Sequence, residues 1–171
     1  MSAFTSRLLR STDRIDAFEC GRPTLDAWLI EQARRAQDAG TARTYVWVRR
    51  GEERVAAYFA VAPTQVLRTE LPGGGLAGRY SVIPAYLLAR LAVDLAEQGR
   101  GLGRQVLVDA VGRIVEAAAV GGGRLIVVDA MDDRAHEFYR LHDFIPVTGS
   151  ARLYMKISTA RAAIGGPGER A

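Results

Sequence analysis

The chain has 171 residues, 49% hydrophobic and 25% charged, with a formal net charge of +4 that rests on 22 arginines and a single lysine, Lys156. It is long enough to bury one core of ordinary size, and no apolar run approaches the roughly 18 residues that a membrane span requires. One cysteine, Cys20, excludes an internal disulfide and a multi-cysteine metal site, and the two histidines, His136 and His142, lack a set of metal partners.

The sequence predicts a first clear helix over residues 24–39, with Thr24 as N-cap and Gly40 as its stop. Thr44–Arg49 and Arg54–Val61 read as a hairpin around Gly51-Glu-Glu, and a third strand covers Thr64–Arg68. Residues 69–82, rich in glycine around Leu71–Gly78, read as a loop. Tyr86–Leu95 has the continuous apolar character of a central buried strand. The helix expected from Gly101 to about Ala119 carries Leu102, Val106, Leu107, Ala110, Val111, Ile114, Val115 and Ala118 on one face. A strand over Arg124–Ala130, a short helix over Asp133–Leu141 and strands over Phe144–Val147 and Arg152–Ile157 complete the order. The expected domain is therefore a single α/β domain over residues 1–157, followed by a flexible tail over 158–171. The first residues lack a signal-peptide stretch, so the expected location is cytoplasmic, with no membrane association.

The segment Leu91-Ala92-Val93-Asp94-Leu95-Ala96-Glu97-Gln98-Gly99-Arg100-Gly101-Leu102-Gly103-Arg104 joins an apolar strand to an amphipathic helix through alternating glycines. That layout offers backbone N–H groups and the positive end of a helix dipole to an anion. Arg100 and Arg104 add charge at the same place. The dinucleotide fingerprint fails because no acidic residue ends a following strand at the required distance, and the triphosphate loop fails because no Gly-Lys-Ser/Thr is present. The remaining pattern, Gln98-x-x-Gly101-x-Gly103, resembles the acyl-coenzyme A loop of the GNAT N-acetyltransferases.

A second motif supports that resemblance. Strand Leu125–Ala130 leads into Asp132-x-x-Ala135-x-x-x-Tyr139 and then Asp143-Phe144, similar to the strand, N-x-x-A-x-x-x-Y and G-F of the same family. The chain departs from that pattern at Asp132, where Asn is common, and at Asp143, where Gly usually precedes Phe. Phe18-Glu-Cys20-Gly21, Leu25-Asp26-x-Trp28-Leu29, Arg43-Thr-Tyr45-Val, Val55-Ala-Ala-Tyr58 and Ile83-Pro84 ahead of Leu91-Ala-Val-Asp94 together look like the acetyltransferase toxins of bacterial type II toxin–antitoxin pairs.

The resemblance implies a GNAT fold, a mixed sheet flanked by helices in which two splayed strands admit acetyl-CoA as co-substrate, with no metal. It implies an aminoacyl-tRNA acceptor, translation inhibition, a ribbon-helix-helix antitoxin and a homodimer. Tyr139 takes the place of the general acid that protonates the departing thiolate. Leu91, Ala92 and Val93 take the place of the strand that pairs with pantetheine. Gln98, Gly99, Arg100, Gly101, Gly103 and Arg104 take the pyrophosphate site, with Asp132 also toward the cofactor. An N-acetyltransferase of a small-molecule or protein amine is the alternative on the same fold.

No general base stands out among Glu97, His136 and His142. An α-amino group titrates near about 7.7 to 8.0, and esterification of the neighbouring carboxyl lowers it further, so water suffices to take the proton. Arg34, Arg35, Arg43, Arg49, Arg50 and Arg79 are the candidate RNA contacts, each also readable as a solvated surface charge. Trp28 and Trp47 offer rings for stacking or for core packing, and Cys20 reads as a small buried residue.

Overall fold

The computed structural model describes residues 2–71 and 80–165. Seven strands pair in the order β1-β2-β3-β4-β5-β7-β6. They are β1 (Phe4–Leu8), β2 (Arg43–Arg49), β3 (Val55–Leu67), β4 (Val82–Val93), β5 (Leu125–Asp129), β6 (Ile145–Pro146) and β7 (Arg152–Lys156). The helices are α1 (Pro23–Glu31), α2 (Ala33–Ala39), α3 (Leu102–Gly121), α4 (Asp133–Leu141) and α5 (Ile157–Gly165). The sheet is mixed: β4 and β5 run parallel, whereas β1–β2, β2–β3, β5–β7 and β6–β7 are antiparallel. Among the described residues no helix is long and apolar enough to cross a membrane.

The chain divides into two compact units, with β3, β4 and α3 running through both. The first comprises Met1–Ala62 and Ala89–Ala110. Its core joins Leu9, Ile15, Phe18, Leu25 and Leu29 to Val46, Val48, Val55, Tyr58 and Ala92. Tyr58 is fully buried and donates its hydroxyl to the Leu25 carbonyl at 2.7 Å, which satisfies its one polar group. The second unit comprises Pro63–Leu88 and Val111–Ala171, with Val66, Ile83, Ala85, Leu125, Val127 and Tyr154 at its centre.

Several elements differ from the sequence reading for local reasons. Residues 4–8 form an edge strand, β1, that was not expected; with Arg7 inside it and only partial burial, it carries a weak strand signal. The expected helix over 24–39 is two helices broken at Gln32. Its start is Pro23 at the first helical position behind Arg22, so Thr24 is not the cap. Gly40 does end the second helix, at φ 74°. The two strands expected on either side of Pro63 are one, β3. Residues 157–165 are helical, with Ile157 and Ala160 buried, where a tail was expected from 158. The rest of that tail, 166–171, lies outside the described residues, as do 72–79 of the expected loop and Arg79 within it.

An ion pair fixes the turn after β1. Asp13 accepts both Arg7 terminal nitrogens at 2.7 and 2.9 Å and the Arg10 N–H at 2.6 Å. Burial pushes the Asp13 carboxyl up, but the Arg7 guanidinium and the Arg10 N–H outweigh it and hold the group below its ordinary value. A depressed folded-state pKa contributes stability above the unfolded value, about 3.9, that is lost as the pH falls through the folded one. Asp13→Asn is expected to cost about 2 to 4 kcal/mol at pH 7. Denaturant titrations in acid should show the gap between variant and parent closing below pH ~3.9.

A second local constraint lies ahead of β5. A Cβ on Gly123, at φ 126°, would sit 2.5 Å from the Tyr86 ring, whose hydroxyl donates to the Gly122 carbonyl at 2.8 Å. Gly123→Ala is expected to destabilise by about 2 to 4 kcal/mol, combining backbone strain and collision. In thermal denaturation, Tyr86→Ala in the Gly123→Ala background should be cheaper than in the parent.

Candidate active site

The glycine loop is launched by a turn that closes β4. The Asp94 carboxylate, 4% exposed, accepts the Ala96 N–H at 3.0 Å and the Glu19 N–H at 3.1 Å, and its own N–H donates to the Ala56 carbonyl. One turn of 3-10 helix, Leu95–Glu97, follows. Gly99 and Gly101 then adopt φ 81° and 76°, a region that L side chains rarely enter, so the loop requires glycine at both. α3 begins at Leu102, which is buried, and Gly103 and Arg104 lie in its first turn. The N–H groups of that turn have no intrahelical acceptor and stand at the positive end of a 20-residue helix.

Arg100 is 70% exposed and only 4.0 Å from the Glu97 carboxylate, a weak pair, and Arg104 is exposed. Open space surrounds the positions that a Cβ on Gly99 or Gly101 would occupy. Free N–H groups, open space and two exposed guanidinium groups suit a pyrophosphate.

Gln98 does something the sequence did not reveal. Its side-chain amide donates to the Cys20 and Val93 carbonyls, each at 2.8 Å, so it staples the loop to the end of β4. Its contribution to an anion site is therefore through the backbone. Glu97 is likewise committed, accepting Arg49 Nε at 3.1 Å and Nη2 at 2.8 Å. That pair removes Glu97 from the candidate bases and Arg49 from the free RNA contacts.

Along β4, Ala92 is buried in the core of the first unit, while Leu91 and Val93 are half-buried on the other face. The parallel β4–β5 ladder spans only Ala85–Leu87 against Leu125–Val127, and β4 runs on to Val93 beyond it. The strand thus extends past its β5 partner, as expected for a splayed pair.

In the second unit, Asp132 caps α4, accepting the Ala135 N–H at 2.8 Å. It does the work an Asn would do there. Tyr139 is 7% exposed, edge-on to Phe138 at 5.2 Å and to Phe144 at 5.6 Å. Asp143 has φ 70°, the one non-glycine residue with positive φ among those described, which explains why glycine is usual at that place. His142 Nδ1 lies 2.7 Å from the Phe138 carbonyl oxygen, so that nitrogen is occupied. The structure thus gathers Leu91–Val93 and Gln98–Arg104 in the first unit, and Asp132 with Tyr139 on α4 in the second.

Other candidates take structural places. Arg34 donates to the Arg10 and Asp13 carbonyls, and Trp47 donates to Asp109, which also accepts Ser6. Arg35 and Arg43 are exposed. Cys20 is buried beside Asp26, and burial above all pushes its thiol up to about 11, which leaves it inert as a nucleophile. Asp94 stands in the Leu91-Ala-Val-Asp94 motif with no role assigned from sequence, although an Asp ending an apolar strand two residues before a turn N–H is a recognisable signal.

No protein-family profile matches the chain. A curated relative, the tRNA-acetylating toxin of Mycobacterium tuberculosis, is 39% identical over 167 residues, covering 96% of this chain and 99% of its own length. The structure of AtaT complexed with acetyl-methionyl-tRNA superposes with a TM-score of 0.87 at 25% identity, covering 94% of this chain and 99% of that one. AtaTR bound with acetyl-CoA gives a TM-score of 0.85 at 26% identity, over 96% and 99% of the two chains.

Proposed function

The chain belongs to the GNAT-fold tRNA-acetylating toxins, and from that membership we propose that it moves an acetyl group from acetyl-CoA to the α-amino group of an aminoacyl-tRNA, blocking translation. The observation that carries this reading is the 39% identity to a tRNA-acetylating toxin across 96% of the chain. The residues present suit the chemistry. The N–H groups at the start of α3, with Gly99, Gly101 and Gly103, take the pyrophosphate of the co-substrate, flanked by Arg100 and Arg104. Beyond the short β4–β5 ladder, the backbone of Leu91–Val93 pairs with the pantetheine arm, and an N–H there polarises the thioester carbonyl.

Acetyl-CoA supplies the activated acyl group; the protein's part is to hold it, polarise it and move protons. Tyr139 donates its phenolic proton to the departing sulfur. Asp132 fixes the start of the helix that carries Tyr139. The amine needs no dedicated base, because an aminoacyl ester has a substantial neutral fraction at pH 7. The protein acts in the cytoplasm, as a homodimer held in check by a ribbon-helix-helix antitoxin, and its catalytic domain continues beyond residue 157 into α5.

The test is incubation of the purified protein with labelled acetyl-CoA and total aminoacyl-tRNA. Label recovered on the aminoacyl end supports the reading and identifies the amino acid. A protein that binds the coenzyme yet leaves every charged tRNA unlabelled overturns it.

A further inference from the structure

Half-buried Arg7, Arg49 and Arg152 are each answered by a carboxylate, at 2.7, 2.8 and 2.8 Å, and half-buried Arg34 by two backbone carbonyls. Arg90, on β4, is half-buried too, but among the described residues no carboxylate meets it. One Nη donates to the neighbouring Ala89 carbonyl at 2.7 Å, and the guanidinium lies over the Trp28 ring, 5.3 Å from its centroid. Trp28 is stacked on Tyr58 at 6.1 Å with an 8° interplanar angle, and Tyr58 meets the edge of Phe18 at 5.4 Å. The guanidinium is therefore the outermost layer of a stack rooted in the core of the first unit. The ring contact and the Ala89 bond leave the remaining N–H groups of the guanidinium available to an anion. A half-buried cation held in place without a counter-charge is open to an external anion.

Arg90 lies one residue, about 3.3 Å of strand rise, from Leu91. By period two its side chain shares the face of Leu88 and Ala92, the face on which Trp28 of α1 packs. We propose that Arg90, presented on Trp28, holds the phosphodiester preceding the terminal nucleotide of the aminoacyl-tRNA and so sets the aminoacyl ester against the thioester. This rests on the acceptor being aminoacyl-tRNA. A phosphodiester is the anion nearest an ester carried on a terminal ribose.

The test compares the protein with its Arg90→Gln and Arg90→Lys variants on two charged tRNAs, one native and one with an uncharged methylphosphonate at the last internucleotide linkage. Arg90→Gln should raise KM for the native acceptor roughly 10- to 100-fold, keep kcat, and reduce the salt slope of log KM by about one. Arg90→Lys should recover part of the loss. The methylphosphonate should cost the parent the same factor and cost Arg90→Gln little more, the non-additivity expected of a direct contact.

An unchanged KM, additive losses, or a raised KM for acetyl-CoA, which would place the coenzyme's phosphate there, each overturn the proposal while leaving the tRNA reading intact. A parent protein that acetylates no charged tRNA overturns that reading, and this proposal with it.

Discussion

Tyr139→Phe is expected to lower kcat for acetyl transfer by roughly 100- to 10,000-fold, the range of a lost general acid. Affinity for acetyl-CoA should stay within about twofold, because the missing proton matters only as the C–S bond breaks. The substitution is informative because the ring's surroundings tolerate it. Tyr139 is 7% exposed between Phe138 and Phe144, and a phenyl ring preserves both edge contacts. α4 keeps its Asp132 cap, and the Phe144 N–H still donates to the carbonyl of residue 139 at 3.1 Å. Thiol release measured beside equilibrium binding of acetyl-CoA separates the two roles. A purely structural tyrosine predicts a shifted Tm with kcat intact, and that result would remove Tyr139 from the chemistry.

The parts of this site that local sequence revealed are those that local conformation determines. Gly99 and Gly101 announce themselves because only glycine sits comfortably at φ 81° and 76°. Asp132 and Ala135 announce a helix start because a cap and its N–H lie three residues apart. What stayed hidden depends on partners far along the chain. Gln98 looked like a ligand of phosphate, yet its amide reaches Cys20, 78 residues away. Arg49 and Glu97 each read as a solvated surface charge as readily as an RNA contact or a base, and folding places them 2.8 Å apart. Arg34 likewise spends its guanidinium on the turn that Asp13 organises. Helical periodicity carried the α1–α2 segment through Gln32, where it breaks, because an apolar face says little about a change of axis.

Asp94 shows how such a distant partner governs the cofactor site. Asp94→Ala leaves the Glu19 and Ala96 N–H groups without their acceptor, one of them across 75 residues. Part-buried donors left without an acceptor cost toward the lower end of about 1 to 3 kcal/mol each, so a total of roughly 2 to 4 kcal/mol and a Tm drop of about 5 to 15 °C are expected. The nearby Arg54 is not the reason. It is 52% exposed and 3.7 Å from the carboxylate, so Arg54→Ala should change stability by less than about 1 kcal/mol. The functional consequence follows from position: Asp94 fixes the turn from which Gly99 and Gly101 are presented, so loosening it disperses the N–H groups that take the pyrophosphate. KM for acetyl-CoA should rise about tenfold in Asp94→Ala at a temperature where the variant is folded, with kcat at saturating coenzyme falling far less than in Tyr139→Phe. Asp94→Asn, which keeps one acceptor oxygen, should fall between. Equal coenzyme affinity in Asp94→Ala and the parent would mean that the loop holds its shape without the turn, and that the glycines alone set the cradle.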